Sequence, residues 1–383
     1  MLLRRFVVRS IVALVAVVAG YLVLAPTGRY LLRAGWEEGK ILWHRRSIAA
    51  MIADPATPPG IRAKLRVVLA ARVFAQDSLG LAARQSFTTY SRLPHDTLVL
   101  VLSGAYQDRL EPVTWWFPIV GRVPYKGYFD FAAARAAARK LEAGGYDAHL
   151  RPSPAFSTLG FFNDPLLSTT LEDDSLELAN TVIHELTHNT FYAADQAVFN
   201  ESFANFSGAR GAERFFRSRG DSLAANAVAA RWNDEKVLGR FWAGVYRSID
   251  SVYRAHPGDR AERIAAHDTV YARARDILVR EVGPQLRTID TRYLDRVQLS
   301  NAALLAQRIY LTDLDEFDAV YDREGRDVKA AVARIIALAE SRPDDPFGAV
   351  RDWVSAGGTA AAGGTARGAA VRPAASAGEA SEQ

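Results

Sequence analysis

The sequence predicts an α+β fold that is predominantly helical, with a small β-containing lobe ahead of a helical C-terminal half. Three observations carry this reading. Residues 97–160 hold short β-type runs, TLVLVL at 97–102 and TWWFPIVGRV at 114–123. Beyond Gly208, apolar residues recur at helical spacing as far as Ser341. Between the two regimes, residues 175–208 concentrate the chemically active side chains on two successive helical stretches.

Composition sets the outer limits. A chain of 383 residues can bury a large core in one big domain or two. Hydrophobic residues at 49% and charged residues at 23% are ordinary for a globular protein. The net charge of +4 is small and both signs are interspersed, so nothing points to nucleic acid. The absence of cysteine excludes disulfides, thiolate metal sites, a cysteine nucleophile and a lipid-modified amino-terminal cysteine. It leaves the redox compartment undetermined.

Taken in order, Phe6 to Ala25 is a nearly unbroken apolar stretch, long enough as a helix to cross a hydrocarbon core of about 30 Å. Arg4 and Arg5 precede it. A cleavable signal peptide competes with this reading, but Val23-Leu24-Ala25 before Pro26 is a poor cleavage context, which favours an uncleaved anchor over 1–27. First-helix tendencies place the amino terminus inside and export the body, despite the basic residues that follow. Tyr30 to Ile48 is amphipathic and helical, with His44 at its surface; Pro58-Pro59-Gly60 breaks the chain, and Ile61 to Ala75 is a further helix. In the lobe, Phe131 to Ala143 is an Ala-rich helix ended by Gly144-Gly145, and Tyr146 to Arg151 reads as a strand. Helices follow at Arg231 to Arg254, Asp259 to Arg280 and Val328 to Ala339. On them Trp242, Tyr253 and Tyr271 read as core, while His256 and His267, in charged surroundings, read as solvated. The run from Ala356 to Gln383 is low in large apolar residues and rich in Ala, Gly and Ser, and it reads as a disordered tail.

The chemistry lies in His184-Glu185-Leu186-Thr187-His188. Two histidines four apart fall on one helical face, where both imidazoles can reach a single metal ion, and Glu185 projects from the same turn. Leu176, Ala179, Ile183 and Leu186 form an apolar stripe, and Glu172, Asp173 and Asp174 stand at the amino end, where negative charge is favoured. Thirteen residues on, Glu201 begins a second helical stretch, Asn200-Glu201-Ser202-Phe203-Ala204. Two histidines and one glutamate leave a fourth position open on zinc, the pattern of a reactive site and not of a closed structural one. The plain alternative is a surface helix with two solvated histidines.

Several stretches in this order resemble a family of predicted bacterial zinc aminopeptidases, often anchored in the envelope. They are Thr114-Trp115-Trp116-Phe117-Pro118-Ile119, Val123-Pro124-Tyr125-Lys126-Gly127-Tyr128-Phe129, Ser157-Thr158-Leu159-Gly160-Phe161-Phe162-Asn163-Asp164-Pro165, the HELTH motif and Phe199 to Ala204. Asn301-Ala302-Ala303-Leu304 with Tyr310 downstream is a weaker match, and the resemblance covers roughly 28–340. It implies a zincin-like metallopeptidase over 28–350, with a lobe at about 97–160, zinc helices at about 175–217 and a helical half at about 218–341. It also implies His184, His188 and Glu201 as ligands of one Zn2+ per chain and Glu185 as general base. In such enzymes a lobe strand often pairs with an extended peptide substrate. Two departures stand out. Relatives are often lipoproteins, whereas this chain has no cysteine, and the acid often found four residues after the ligand glutamate is here Asn205.

The expected reaction is zinc-dependent hydrolysis of a peptide substrate, with Tyr310 or Tyr128 as candidate oxyanion donor. Removal of amino-terminal residues would need a carboxylate for the free amine, from Asp164, Glu172, Asp173 or Asp174. Localisation is expected at the inner membrane, through the amino-terminal helix, with the catalytic part facing the periplasm. The alternatives are a zinc endopeptidase, hydrolysis of a non-peptide amide or ester, and a membrane-anchored binding module on a peptidase fold.

Overall fold

The computed structural model describes residues 2–93, 99–117, 121–153, 165–172 and 174–357. The expected tail beyond 357 and most of the stretch 157–165 lie outside them. The chain opens with α1 (Leu2–Leu24), α2 (Pro26–Trp43), β1 (Arg46–Ser47), α3 (Ile48–Ala53) and α4 (Pro59–Leu79). The β-containing part comprises β2 (Thr89–Ser91), β3 (Val99–Tyr106), β4 (Pro112–Val113), β5 (Trp115–Phe117), β6 (Gly121–Val123), β7 (Tyr125–Tyr128), α5 (Phe131–Ala143) and β8 (Tyr146–Ser153). After β9 (Leu166–Leu167) and α6 (Ser168–Leu171) the chain is helical: α7 (Ser175–Thr190), α8 (Ala197–Ser218), α9 (Ser222–Ala255), α10 (Arg260–Ile277), α11 (Asn301–Tyr310), α12 (Leu314–Arg323), α13 (Val328–Ser341) and α14 (Pro346–Ser355). The fold is therefore α+β and predominantly helical.

In the lobe, β3 pairs antiparallel with β8 along Val99–Tyr106 and with β7 along Leu100–Ser103. Strand alternation gives the sheet two faces. Leu102, Tyr128 and Leu150 face α5, packing with Ala138 and Leu141. Val101, Ser103, Tyr125, His149 and Arg151 fall on the other face.

The largest core surrounds α7 and α8. From α7 it takes Leu178, Ala179, Val182, Ile183 and Leu186, and from α8 Phe199, Phe203, Phe206, Phe215 and Phe216. Phe199, Phe203 and Phe206 recur at helical spacing and stack edge and face onto Phe317 of α12. Burying rings of this size contributes roughly 1.5–3 kcal/mol each, which locks α8 in rotation. Asp318, one residue on, accepts from Arg210 of α8 at 2.8 Å and from Lys236 of α9 at 2.5 Å, and it also takes the Trp232 indole N–H. Those bonds hold its carboxyl below the ordinary carboxylate range despite burial. A second core joins the rest of α9 to α10 and α11 through Trp242, Ile249, Tyr253, Tyr271 and Leu304.

His267, read as solvated, is buried: its ring meets Tyr253 Oη at 2.9 Å and the Gln107 carbonyl at 2.8 Å. Its charged sequence neighbours occupy the outer faces of α10, while His267 shares the inner face with Tyr271. The apolar run at the start of the chain does form one helix, α1, with Phe6, Val12, Leu14 and Val17 exposed. No helix among the described residues is long and apolar enough to cross a membrane.

Helices α7 and α8 approach closely because two glycines face the contact. A Cβ on Gly208 would lie 2.5 Å from Asn180 Oδ1 and 3.2 Å from His184 Cβ, and one on Gly211 would lie 2.8 Å from Ile183 Cγ2. Gly208→Ala and Gly211→Ala should each cost about 1–3 kcal/mol in chemical denaturation, the overpacking penalty. Gly244→Ala, in α9 with open space around it, should be neutral or gain up to about 1 kcal/mol. Equal, small effects at all three positions would contradict the close approach.

Candidate metal centre

Helix α7 begins where Asp174 accepts from the backbone N–H of Leu176 and Glu177. Arg231 of α9 pairs with Asp174 and reaches Glu177 at 3.4 Å, tying that end to the next helix. With the apolar stripe packed inward, Glu177, Asn180, His184 and His188 run down the adjoining half-buried flank. Helix α8 is set against it by Asn200, whose side chain accepts from Ala193 N at 2.9 Å and donates to Ala193 O at 2.8 Å. This double bond to the α7–α8 connection fixes where the next residue, Glu201, emerges.

The three donor groups converge. His184 Nε2 and His188 Nε2 are 3.2 Å apart, and Glu201 Oε2 lies 3.5 Å from the first and 3.7 Å from the second. Among the described residues, this is the group of three placed to hold one metal ion. A tetrahedral ion with bonds of about 2.0–2.1 Å keeps its ligand atoms about 3.3 Å apart, so the spacing fits zinc. Nitrogen and carboxylate donors also suit it. The surface-helix alternative fails on burial, because all three side chains are partly enclosed and point to a common centre.

Charge reinforces the geometry. Burial opposes ionisation of Glu201, but bonds and charge from His184 and His188 outweigh it and hold the carboxyl far below its ordinary range. Burial likewise opposes protonation of His184, yet the Glu201 bond and the charges of Glu185, Glu201 and Glu235 leave its pKa raised. Without metal, a proton therefore competes for the same nitrogens, and metal affinity falls with acidity.

Three tyrosines join this cluster, of which only Tyr310 was singled out in the sequence. Tyr125 of β7, Tyr192 and Tyr310 each feel the Glu201 charge, and burial first, then that charge, raises all three phenols, Tyr125 to about 12. Arg151 of β8 donates from Nη2 to Tyr310 Oη at 2.7 Å. Tyr310, a sequence candidate, is thus beside the cluster, whereas Tyr128 lies on the sheet face covered by α5. Asn205 donates to the Tyr310 carbonyl at 2.9 Å and makes no bond to a histidine among the described residues. Ser202 accepts from Thr312 N at 3.2 Å. The stretch 200–205 therefore places a candidate ligand and also clamps the end of α11. Of the candidate amine-binding acids, Asp174 is committed to its cap and lies ten helical residues from His184, about 15 Å along the axis. Glu172 lies beyond that same end, and Asp164 and Asp173 are outside the described residues.

Glu235 is the least expected member. Burial, then the neighbouring Glu177 charge, pushes its carboxyl up to about 7, with His184 pulling the other way. It lines a narrow cleft with Asn180, whose buried Oδ1 has no partner among the described residues. Between the ordinary 4.5 and about 7 the folded chain keeps a proton that the unfolded chain releases. Stability therefore falls as pH rises through that window. In the metal-free protein, Glu235→Gln should gain roughly 1–3 kcal/mol at pH 8 and nothing near pH 4.5. A pH-independent difference in thermal or denaturant melts would contradict the assignment.

A family model described as "Putative aminopeptidase" matches residues 29–346. No curated protein and no solved structure matches the chain.

Proposed function

We propose, from the premise that the chain belongs to the aminopeptidase family whose model spans residues 29–346, that it is a zinc-dependent peptidase removing amino-terminal residues. The observation that carries the metal half of this reading is the convergence of His184, His188 and Glu201. These three would hold the ion. A bound zinc ion supplies Lewis acidity, acidifying a water and polarising an amide carbonyl. Among the chain's own groups, Glu185 is half-buried one residue from His184, with its charge acting on that ring. It takes the proton of the attacking water and delivers it to the leaving amine. Tyr310 donates a hydrogen bond from its phenol to the developing oxyanion and keeps its proton, since its oxygen already accepts from Arg151 and its O–H is left to point elsewhere. At the start of the chain, the exposed apolar residues of α1 are what supports attachment to a membrane; the inner membrane, with the catalytic part facing the periplasm, follows only from first-helix tendencies. Alkaline carbonate extraction should leave the protein with the membrane; its release would contradict that placement.

Glu185→Gln preserves the ligands and removes the base. Loaded with zinc and given a mixed peptide library, the parent protein should shorten peptides stepwise from the amino end. The variant should bind zinc equally and lose about 100- to 10,000-fold in rate. Internal cuts would overturn the exopeptidase half of the reading. Unchanged turnover in the variant would overturn the mechanism.

A further inference from the structure

We infer that Arg151 is a substrate-binding residue that receives a carboxylate of the peptide, so that the substrates are short or acidic peptides carrying that group close to the scissile bond. The inference rests on the peptidase reading and adds the substrate class. It begins with the register of the lobe. Arg151 stands opposite Val101, and Tyr125 opposite Ser103, so both lie on the sheet face turned away from α5. Arg151 bonds the Tyr310 phenol and Asn205, four residues after Glu201, holds the Tyr310 carbonyl, so the guanidinium lies on the side of the candidate metal ligands, in keeping with the Glu201 charge felt by Tyr125 and Tyr310.

Its bonding there is incomplete. A guanidinium carries five N–H donors in a planar fork. Among the described residues Arg151 uses one, to a neutral phenol at 2.7 Å, with its centre 5.0 Å from the Tyr310 ring. It has no carboxylate partner among the described residues, although it is half-buried. Arg210, similarly enclosed in the core, is by contrast paired with both Glu213 and Asp318. A partly desolvated cation without a counterion is costly to keep. The free edges of its fork match a carboxylate bidentately. The tyrosine contact fixes the plane of the fork, and no described residue occupies those edges.

Two sources offer the same chemistry: the α-carboxylate of a short peptide, or an Asp or Glu side chain. Zinc-loaded full-length Glu185→Gln protein, titrated calorimetrically, separates them. The probes are trialanine, trialanine amide and Ala-Asp-Ala amide. Trialanine should bind about 10- to 100-fold more tightly than its amide, the range for hydrogen bonds to a charged group. Recovery of affinity by Ala-Asp-Ala amide would show that a side chain serves equally, and its absence would assign the α-carboxylate. The preference should vanish when Arg151→Met is added, and survive Tyr310→Phe, which removes the phenol but not the fork. Equal binding of all three peptides in the Glu185→Gln protein overturns the inference alone. If no peptide binds with zinc present at one per chain, and the parent protein hydrolyses none, the peptidase reading falls and takes the inference with it.

Discussion

The site depends on how closely α7 and α8 can lie. Glu201 reaches the two histidines only because Gly208, two turns further along α8, has no side chain to strike Asn180 and His184. The rest of the packing serves that contact. The phenylalanine ladder on α8 fixes its rotation, and the Asn200 bonds to Ala193 fix its starting height. An error of one residue in either would swing the carboxylate by about 100° around the helix and away from the imidazoles.

A second layer converts a cluster of donors into a cleft. Ser202 and Asn205 hold the end of α11, which keeps Tyr310 beside the cluster. The lobe contributes its uncovered face, with Tyr125 and Arg151, from strands far away in sequence. Asn301 joins the two parts: its side chain donates to the Tyr106 carbonyl and accepts from Tyr271, while its backbone N–H donates to Asp147. Glu235 approaches from a third helix and adds negative charge near His184. Asn205, which has taken up the Tyr310 carbonyl, supplies no such charge.

What the sequence showed and what it hid divide along physical lines. The helices of the cluster were legible because their signals are local: an apolar stripe, an acidic amino end and a four-residue histidine spacing all fall within 172–190. Residues 131–143 were bounded as a helix correctly because Asp130 caps one end and Gly144 closes the other. Arg151, Tyr125 and Glu235 gave no such signal, since their meaning arises from strand register and from helices that meet after long excursions. Tyr128 was a fair candidate by motif, but strand alternation turns it to the opposite face from Tyr125. His267 misled for the same reason: charged neighbours in sequence do not describe the face of the helix that carries it.

The most direct test of the central claim is X-ray absorption at the zinc edge on the full chain loaded with one equivalent of metal. Helices held at the observed separation should give two imidazoles and one carboxylate oxygen, with a fourth light atom, all at about 2.0–2.2 Å. Gly208→Ala should lose part of the histidine scattering, because the added methyl forces α7 and α8 apart. A six-coordinate, all-oxygen shell without imidazole signature, unchanged in that variant, would contradict the claim that these two helices build the site.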